Sequence, residues 1–373
     1  MTGDEATGMH VAVVGGGAVG VALARDLATD ATVTLYEADT VAAGATGRAA
    51  GLCYDAFSDR RDARLAQRAL SRFREADALT DCPYVWLARD TGEDRDARRA
   101  SEIREQAALV RDRGVDVTTL DSDELGDRFP ALVTDDVAVA AVAESAGYVD
   151  PERYTTEMAA RARERGVDVR EHTPVQLTAD GDVATDDGVE QFDAVVVAAG
   201  AHTRAVVSAV APIPVKPYRV QALVTESVDR DIPMVFDASG GYYLRPRDGG
   251  ILVGDGTLPE EQEPDDWKRD ADAWFRTDAT GYQEAALGES WPDAQSWAGL
   301  CTATPDGDPL VGELRSGVYV ATGWQGHGFM RAPAIAERLT AQVFGEEWSA
   351  FDPTRFAGDE SFEIVEGMDV ERR

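Results

Sequence analysis

The stretch Val11-Ala-Val-Val-Gly-Gly-Gly-Ala-Val-Gly20, followed by the acid Glu37, constrains this chain more than any other part of it. Val11 to Val14 is a short apolar run of the kind that forms a parallel strand buried on both faces. Gly15, Gly17 and Gly20 then fill a G-x-G-x-x-G pattern. Ala22, Leu23 and Leu27 continue at helical spacing, and Val33-Thr-Leu-Tyr36 reads as a second strand ending at Glu37. Strand, glycine turn, helix and second strand form the βαβ context that gives such glycines a binding role. Gly15 permits the tight turn, Gly17 lets a pyrophosphate approach the backbone, and Gly20 lets the helix pack on the strand. Ala18 and Val19 open that helix, whose free N–H groups and positive dipole end face the phosphates. Glu37, with Ala38 after it, can accept both hydroxyls of an adenosine ribose, and its charge disfavours the 2′-phosphate of NADP. The fingerprint alone does not separate FAD from NAD.

The chain has 373 residues, 44% of them hydrophobic, enough for two domains or one large composite fold. No apolar run is long enough to span a bilayer, and the polar, acidic segment Met1 to His10 lacks the order of a signal peptide. A cytoplasmic protein is expected. Acidic residues number 69 against 36 basic ones, a formal charge of −33, and lysine occurs only at positions 216 and 268. Such a dispersed, lysine-poor acidic surface resembles proteins of salt-accumulating archaea, where a Debye length of about 3 Å screens self-repulsion. No basic patch for nucleic acid is visible. Cys53, Cys82 and Cys301 are isolated, and the four histidines have no metal-ligand spacing, so neither a disulfide scaffold nor a metal site is expected.

Further along, Arg60 to Leu79 and Ser101 to Arg113 read as amphipathic helices, and Asp121 to Phe129 as an acidic segment stopped by Pro130. Asp150 and Pro151 mark the cap and first position of a helix running to Gly166. Phe192-Asp-Ala-Val-Val-Val-Ala-Ala-Gly200 is a second buried strand ending in a small-residue turn. From Val220 to Val253 the pattern alternates as in an antiparallel sheet, Asp265 to Leu287 reads as an acidic helix, and Pro333 to Phe344 as a final helix. The expected fold is α/β: a Rossmann-like domain with a parallel sheet, plus an antiparallel-sheet α+β substrate domain. The boundaries expected are 8–80, 145–211 and 297–357 for the nucleotide domain, 81–144 and 212–296 for the substrate domain, and 358–373 for an acidic tail.

Five further segments, in this order and spacing, resemble the FAD-dependent amine oxidoreductases of the D-amino-acid oxidase class, which includes glycine oxidase and the sarcosine and dimethylglycine enzymes. The resemblance runs from about Val11 to about Phe344. Gly44-Ala-Thr-Gly-Arg-Ala-Ala-Gly51 resembles the family's small-residue loop along pyrophosphate and flavin, which implies contacts from Ala45, Thr46, Ala50, Gly51 and Leu52. Val175 stands where the family reads the adenine with a backbone group, and Gly200 closes the matching strand. Trp297 to Gly312 is similar to a W-x-G-x-x-x-x-T-P-D-G-x-P segment. Ala321-Thr-Gly-Trp-Gln-Gly-His-Gly-Phe329 resembles the turn along the isoalloxazine, which implies contacts from Gly323, Trp324, Gln325, Gly326, His327, Gly328, Phe329 and Met330.

The resemblance implies noncovalent FAD, hydride transfer to flavin N5 from the carbon bearing an amine, and reoxidation by oxygen or a carrier protein. The substrate implied is a small amine or amino acid, and a homo-oligomer is compatible with the chain. The family's carboxylate-binding cations are replaced: Cys301, Gly326 and Met330 occupy the matching positions. Arg245 and Arg331 are the substitute candidates, with His327 as a polar group at the flavin and Tyr243 as a lining residue. Leu252 stands where sarcosine oxidases carry an oxygen-promoting lysine, which favours a dehydrogenase over an oxidase. The rival expectations are an NAD-dependent dehydrogenase, which leaves the segments at 297–312 and 321–329 unexplained, and an FAD-bearing subunit or assembly factor without amine turnover of its own.

Overall fold

The computed structural model describes residues 8–365. A six-stranded sheet runs in the order Leu310–Arg315, Val318–Thr322, Ala194–Val197, His10–Val14, Thr32–Tyr36, Asp168–Arg170. Neighbours are parallel except at the Leu310–Arg315 edge, which is antiparallel. Alternation sorts the side chains between two cores. Val11 and Val13 join Ala194 and Val196 on one face, while Ala12 and Val14 join Val195 and Val197 on the other. Burial on both faces is why these strands read as unbroken apolar runs. The helices Ala18–Leu27, Pro151–Glu164 and Gly328–Val343 cover the first face, and Arg60–Glu75 packs on the last of them. Asp150 caps its helix as expected, accepting from the Arg153 N–H at 3.0 Å, with Pro151 in the first turn.

The second sheet has nine strands, drawn from residues 84–143 and 216–303. Every described pairing is antiparallel except Met234–Asp237 on Tyr84–Arg89. The expected combination of a parallel and a largely antiparallel sheet is therefore what forms. Its register gives each face a separate job. Leu223, Leu244 and Val253 point into a core closed by the helix Ala273–Leu287. The opposite face turns Tyr84, Trp86, Met234 and Phe236 into the core shared with the parallel sheet. On that same face Tyr243 lies beside Phe236 and Gly254, and Arg245 beside Leu252.

The helix expected from Ser101 already begins at Asp94, and two further elements differ from the sequence expectation. The last helix starts at Gly328, so Pro333 lies inside it. A proline this close to the N-terminus removes a single ladder bond, and its fixed φ already suits a helix. The acidic stretch from Asp265 is helical only from Ala273, because Asp272 is extended at the cap and its carboxylate is held by Arg219 and Lys268. Arg219 is 3% exposed and also donates to the Lys268 carbonyl, so it ties the long strand Lys216–Thr225 to that helix. The strand Asp293–Ala303 crosses residue 297, the expected domain boundary, and pairs along the length of Lys216–Thr225. Of the expected acidic tail, 358–365 lies against the fold: Lys216 Nζ donates to the Phe362 carbonyl and Gln325 Nε2 to that of Val365. Residues 366–373 lie outside the described residues.

Candidate cofactor and substrate site

The first glycine turn is shaped by close backbone approach. Gly15 has φ +111°, and a Cβ there would meet the Ala198 carbonyl oxygen at 2.5 Å. A Cβ on Gly20 would stand 1.9 Å from the Gly15 oxygen, so helix and turn meet only with glycine at that position. Gly17 is the N-cap of the helix Ala18–Leu27, whose Ala18 N–H donates to Thr46 Oγ1 at 3.0 Å. A side chain on Gly17 would press on that hydroxyl, with Cβ to Oγ1 at 3.1 Å. Val19 follows inside the buried first turn. Glu37 reaches back across the turn: its carboxylate accepts from Gly16 N at 2.6 Å and from Asp39 N at 2.9 Å, bracketing Ala38. The Thr173 N–H donates to the Glu37 carbonyl, which brings the nearby buried Val175 toward the same corner.

From there the small-residue loop continues through Ala45, the cap of a single 3-10 turn at Thr46–Arg48, to Ala50, Gly51 and Leu52. Gly51 has φ +75° and lies so close to the Val149 carbonyl that a Cβ would sit 2.1 Å from it. The second glycine-rich turn follows the strand Val318–Thr322. Gly323, Gln325 and Gly326 all have positive φ. Thr302 Oγ1 accepts from the N–H groups of Gly323 and Trp324, and the Thr302 carbonyl from that of Gln325. His327 caps the helix that begins with Gly328, Phe329 and Met330. Thr322 Oγ1 donates to the Gly200 carbonyl, which joins this turn to the end of the strand Ala194–Val197. At Gly44, Gly200 and Gly326 a Cβ would meet nothing within 4 Å, so a ligand can approach the backbone there.

Across from the loop stands the face of the large sheet. Arg245 is 2% exposed, donates from Nε to the Ala50 carbonyl and from a terminal nitrogen to Pro246, and stacks 4.8 Å from the Tyr148 ring. No carboxylate pairs with it among the described residues. Burial, and then the neighbouring Arg247, lower its pKa to about 10. Tyr243 lies two residues back on the same face, across Gly254, where a Cβ would stand 2.2 Å from the Tyr243 hydroxyl. His327 is buried with Nε2 3.3 Å from the Tyr54 hydroxyl, edge-on to Phe57. Tyr54 stacks at 4.1 Å on Tyr84, so one aromatic column links the turn to the sheet. Arg331 points away, ion-paired with Asp62 at 3.2 Å and stacked on Phe57. Cys301 pairs in register with Tyr218.

Gly15 to Gly51 form a glycine-rich cradle with Glu37; Arg245 is tied to it through the Ala50 carbonyl, and the Gly323–Met330 turn is linked to the large sheet through His327, Tyr54 and Tyr84. Sequence reading passed over Tyr54, Phe57 and Arg247. Arg247 had a legible signal, since Tyr243, Arg245 and Arg247 alternate and share one face of a strand. Tyr54 and Phe57 had none, because their partners are remote in sequence.

Residues 10–342 match the family model described as FAD dependent oxidoreductase (DAO), and the chain belongs to that family. Among its relatives are glycine oxidase of Pseudomonas putida, 31% identical over 47% of this chain and 48% of that protein. Mitochondrial dimethylglycine dehydrogenase of Homo sapiens is 26% identical over 92% of this chain and 44% of that protein. FAD-dependent oxidoreductase domain-containing protein 1 of Xenopus laevis is 26% identical over 70% and 60%. The chain therefore spans about half the length of these curated relatives. Among solved structures, L-proline dehydrogenase from P. horikoshii superposes with a TM-score of 0.83 at 26% identity, covering 94% of this chain and 98% of that one. Glycine oxidase from Geobacillus kaustophilus shares the fold, with a TM-score of 0.82 at 23% identity over 93% and 99%. The residues present fit FAD: the turn has no room for a side chain at Gly15 or Gly20 and little at Gly17, and Glu37 stands beside it.

Proposed function

We propose that this chain is an FAD-dependent oxidoreductase that oxidises a C–N bond of a small amine or amino acid. One observation carries the reading: a buried guanidinium without a carboxylate, Arg245, held against the Ala50 carbonyl of the loop that follows the nucleotide cradle. Bound FAD would supply a hydride acceptor at N5. The rest falls to the protein. Gly15, Gly17, Gly20, Thr46 and Glu37 hold the nucleotide half; the loop from Ala50 and the turn from Gly323 to Met330 border the flavin. Arg245 binds the substrate carboxylate, and Tyr243 beside it orients the same end. His327 and Tyr54 form a hydrogen-bonding pair, and the Tyr54–Tyr84 column excludes water from the site. Arg331, already paired with Asp62, positions the helix rather than the substrate.

In this proposal residues 8–80, 145–211 and 297–357 serve the cofactor and residues 81–144 and 212–296 the substrate, with the strand Asp293–Ala303 shared. FAD is bound noncovalently in a cytoplasmic protein. Leu252, fully buried beside Arg245, stands where sarcosine oxidases carry an oxygen-promoting lysine, which favours a dehydrogenase passing electrons to a carrier. The test is an anaerobic visible spectrum of the purified protein titrated with amino acids, N-methyl amines and sarcosine. Bleaching of a flavin band by one compound is expected. A second reading is favoured by Cys301, Gly326 and Met330 standing where the family's cations would be. A flavin spectrum that no amine changes, with copurifying partners, would establish that noncatalytic subunit instead.

A further inference from the structure

Three arginines surround the small-residue loop, in a chain whose acidic residues outnumber its basic ones by 69 to 36. Arg245 has no carboxylate partner, as described above. Arg48 donates only to the carbonyls of Ala43 and Gly44 among the described residues. Arg247 has one acid near it, Asp248, at 3.6 Å and 82% exposed, and its buried Nη1 has no hydrogen-bond partner. Ring and backbone contacts link the three positions. Arg247 stacks 5.2 Å from the Trp297 ring, Trp297 Nε1 donates to the Arg48 carbonyl at 3.0 Å, and Ala50, two residues on, accepts from Arg245.

One guanidinium is enough to clamp one carboxylate through two parallel hydrogen bonds. A second cation in the same sheltered place repels the first, and a buried donor without an acceptor costs free energy. Both costs vanish when a second anionic group arrives. Elsewhere the protein does neutralise its buried arginines: Arg89 is paired with Asp237, Arg219 with Asp272 and Arg331 with Asp62. The exception falls on the sheet face opposite the cofactor loop.

We propose that the site takes an amine with two anionic groups, an amino dicarboxylate, with Arg245 holding one and Arg247 the other. This rests on the amine-oxidising reading and narrows its substrate class. The test is calorimetric titration of the FAD-loaded protein, at fixed ionic strength, with the non-oxidisable acids acetate, propionate, malonate and succinate. The better dicarboxylate should bind at least about tenfold tighter than either monocarboxylate, equivalent to about 1.4 kcal/mol. Equal affinities would overturn the inference. Arg247→Met should bring the dicarboxylates down to the monocarboxylate level, while Arg245→Met weakens both sets. Loss of FAD from Arg247→Met would show that this guanidinium serves the cofactor phosphates, which also overturns the inference. Anaerobic reduction separates the two readings. If monocarboxylate amines bleach the flavin as readily as iminodiacetate, aspartate and glutamate, the oxidoreductase stands and the second anion falls. If no amine bleaches it, the oxidoreductase falls and the calorimetric ratio still decides the second anion.

Discussion

At the scale of single residues, Arg245 joins binding to instability. Its guanidinium is buried beside Arg247 without a carboxylate, an arrangement that costs folding free energy. Arg245→Met should therefore make the protein more stable, by about 1–3 kcal/mol, while abolishing carboxylate binding. Thermal unfolding and ligand titration of the same variant check both halves, and a destabilised variant would show that Arg245 is a structural strut. The pH dependence follows from a folded pKa lowered by burial to about 10, well below that of a free guanidinium. Below pH 10 the group is charged in both folded and unfolded states, so the cost of burying it is fully present. Above pH 10 the folded state releases the proton before the unfolded chain does, which recovers stability and removes the anion site. Acetate affinity should be flat from pH 7 to 9 and fall about tenfold per unit above pH 10.

At the scale of elements, register decides which residues share the face of the large sheet proposed to meet the ligand. Tyr243, Gly254 and Ala222 lie side by side on three adjacent strands, and the tyrosine ring crosses the glycine. Gly254→Ala places a methyl 2.2 Å from the Tyr243 hydroxyl, so the ring must move. We expect FAD content and the flavin spectrum to stay unchanged while amine-dependent flavin reduction slows by about a hundredfold, the size of effect that displacement of an orienting group by about 1 Å produces. Unchanged reduction would remove Tyr243 from the site. The elements also show where sequence signals run out. Asp150 and Pro151 announced their helix because capping is local. Pro333 misled, because a proline is read as a helix boundary when nothing else is known, and only the packing of Gly328–Val343 against the Ala18–Leu27 and Arg60–Glu75 helices overrides it.

At the scale of the whole molecule, a formal charge of −33 acts on every solution property. The ion pairs that the described residues do form are largely at the surface, and each contributes little. Net repulsion should therefore dominate at low ionic strength, and we expect the melting temperature to rise markedly between low and multimolar KCl. An unchanged melting temperature would show that the acidic surface is not an adaptation to salt. The proposed nucleotide half of the site was legible in the sequence, since strand, glycines, helix and acid fall within residues 11–37 and Gly20 is required by its contact with Gly15, although the contact that requires Gly15 comes from the remote Ala198. The family, too, could be read from ordered segments along the chain. The ligand half was decided by tertiary structure. Arg245 meets the Ala50 carbonyl across 195 residues of sequence, and Trp297 meets the Arg48 carbonyl across 249. A periodic pattern shows which residues share a face of a strand, but which loop that face will meet depends on how two sheets dock. That is a matter of packing between remote segments, and no local stretch of chain encodes it.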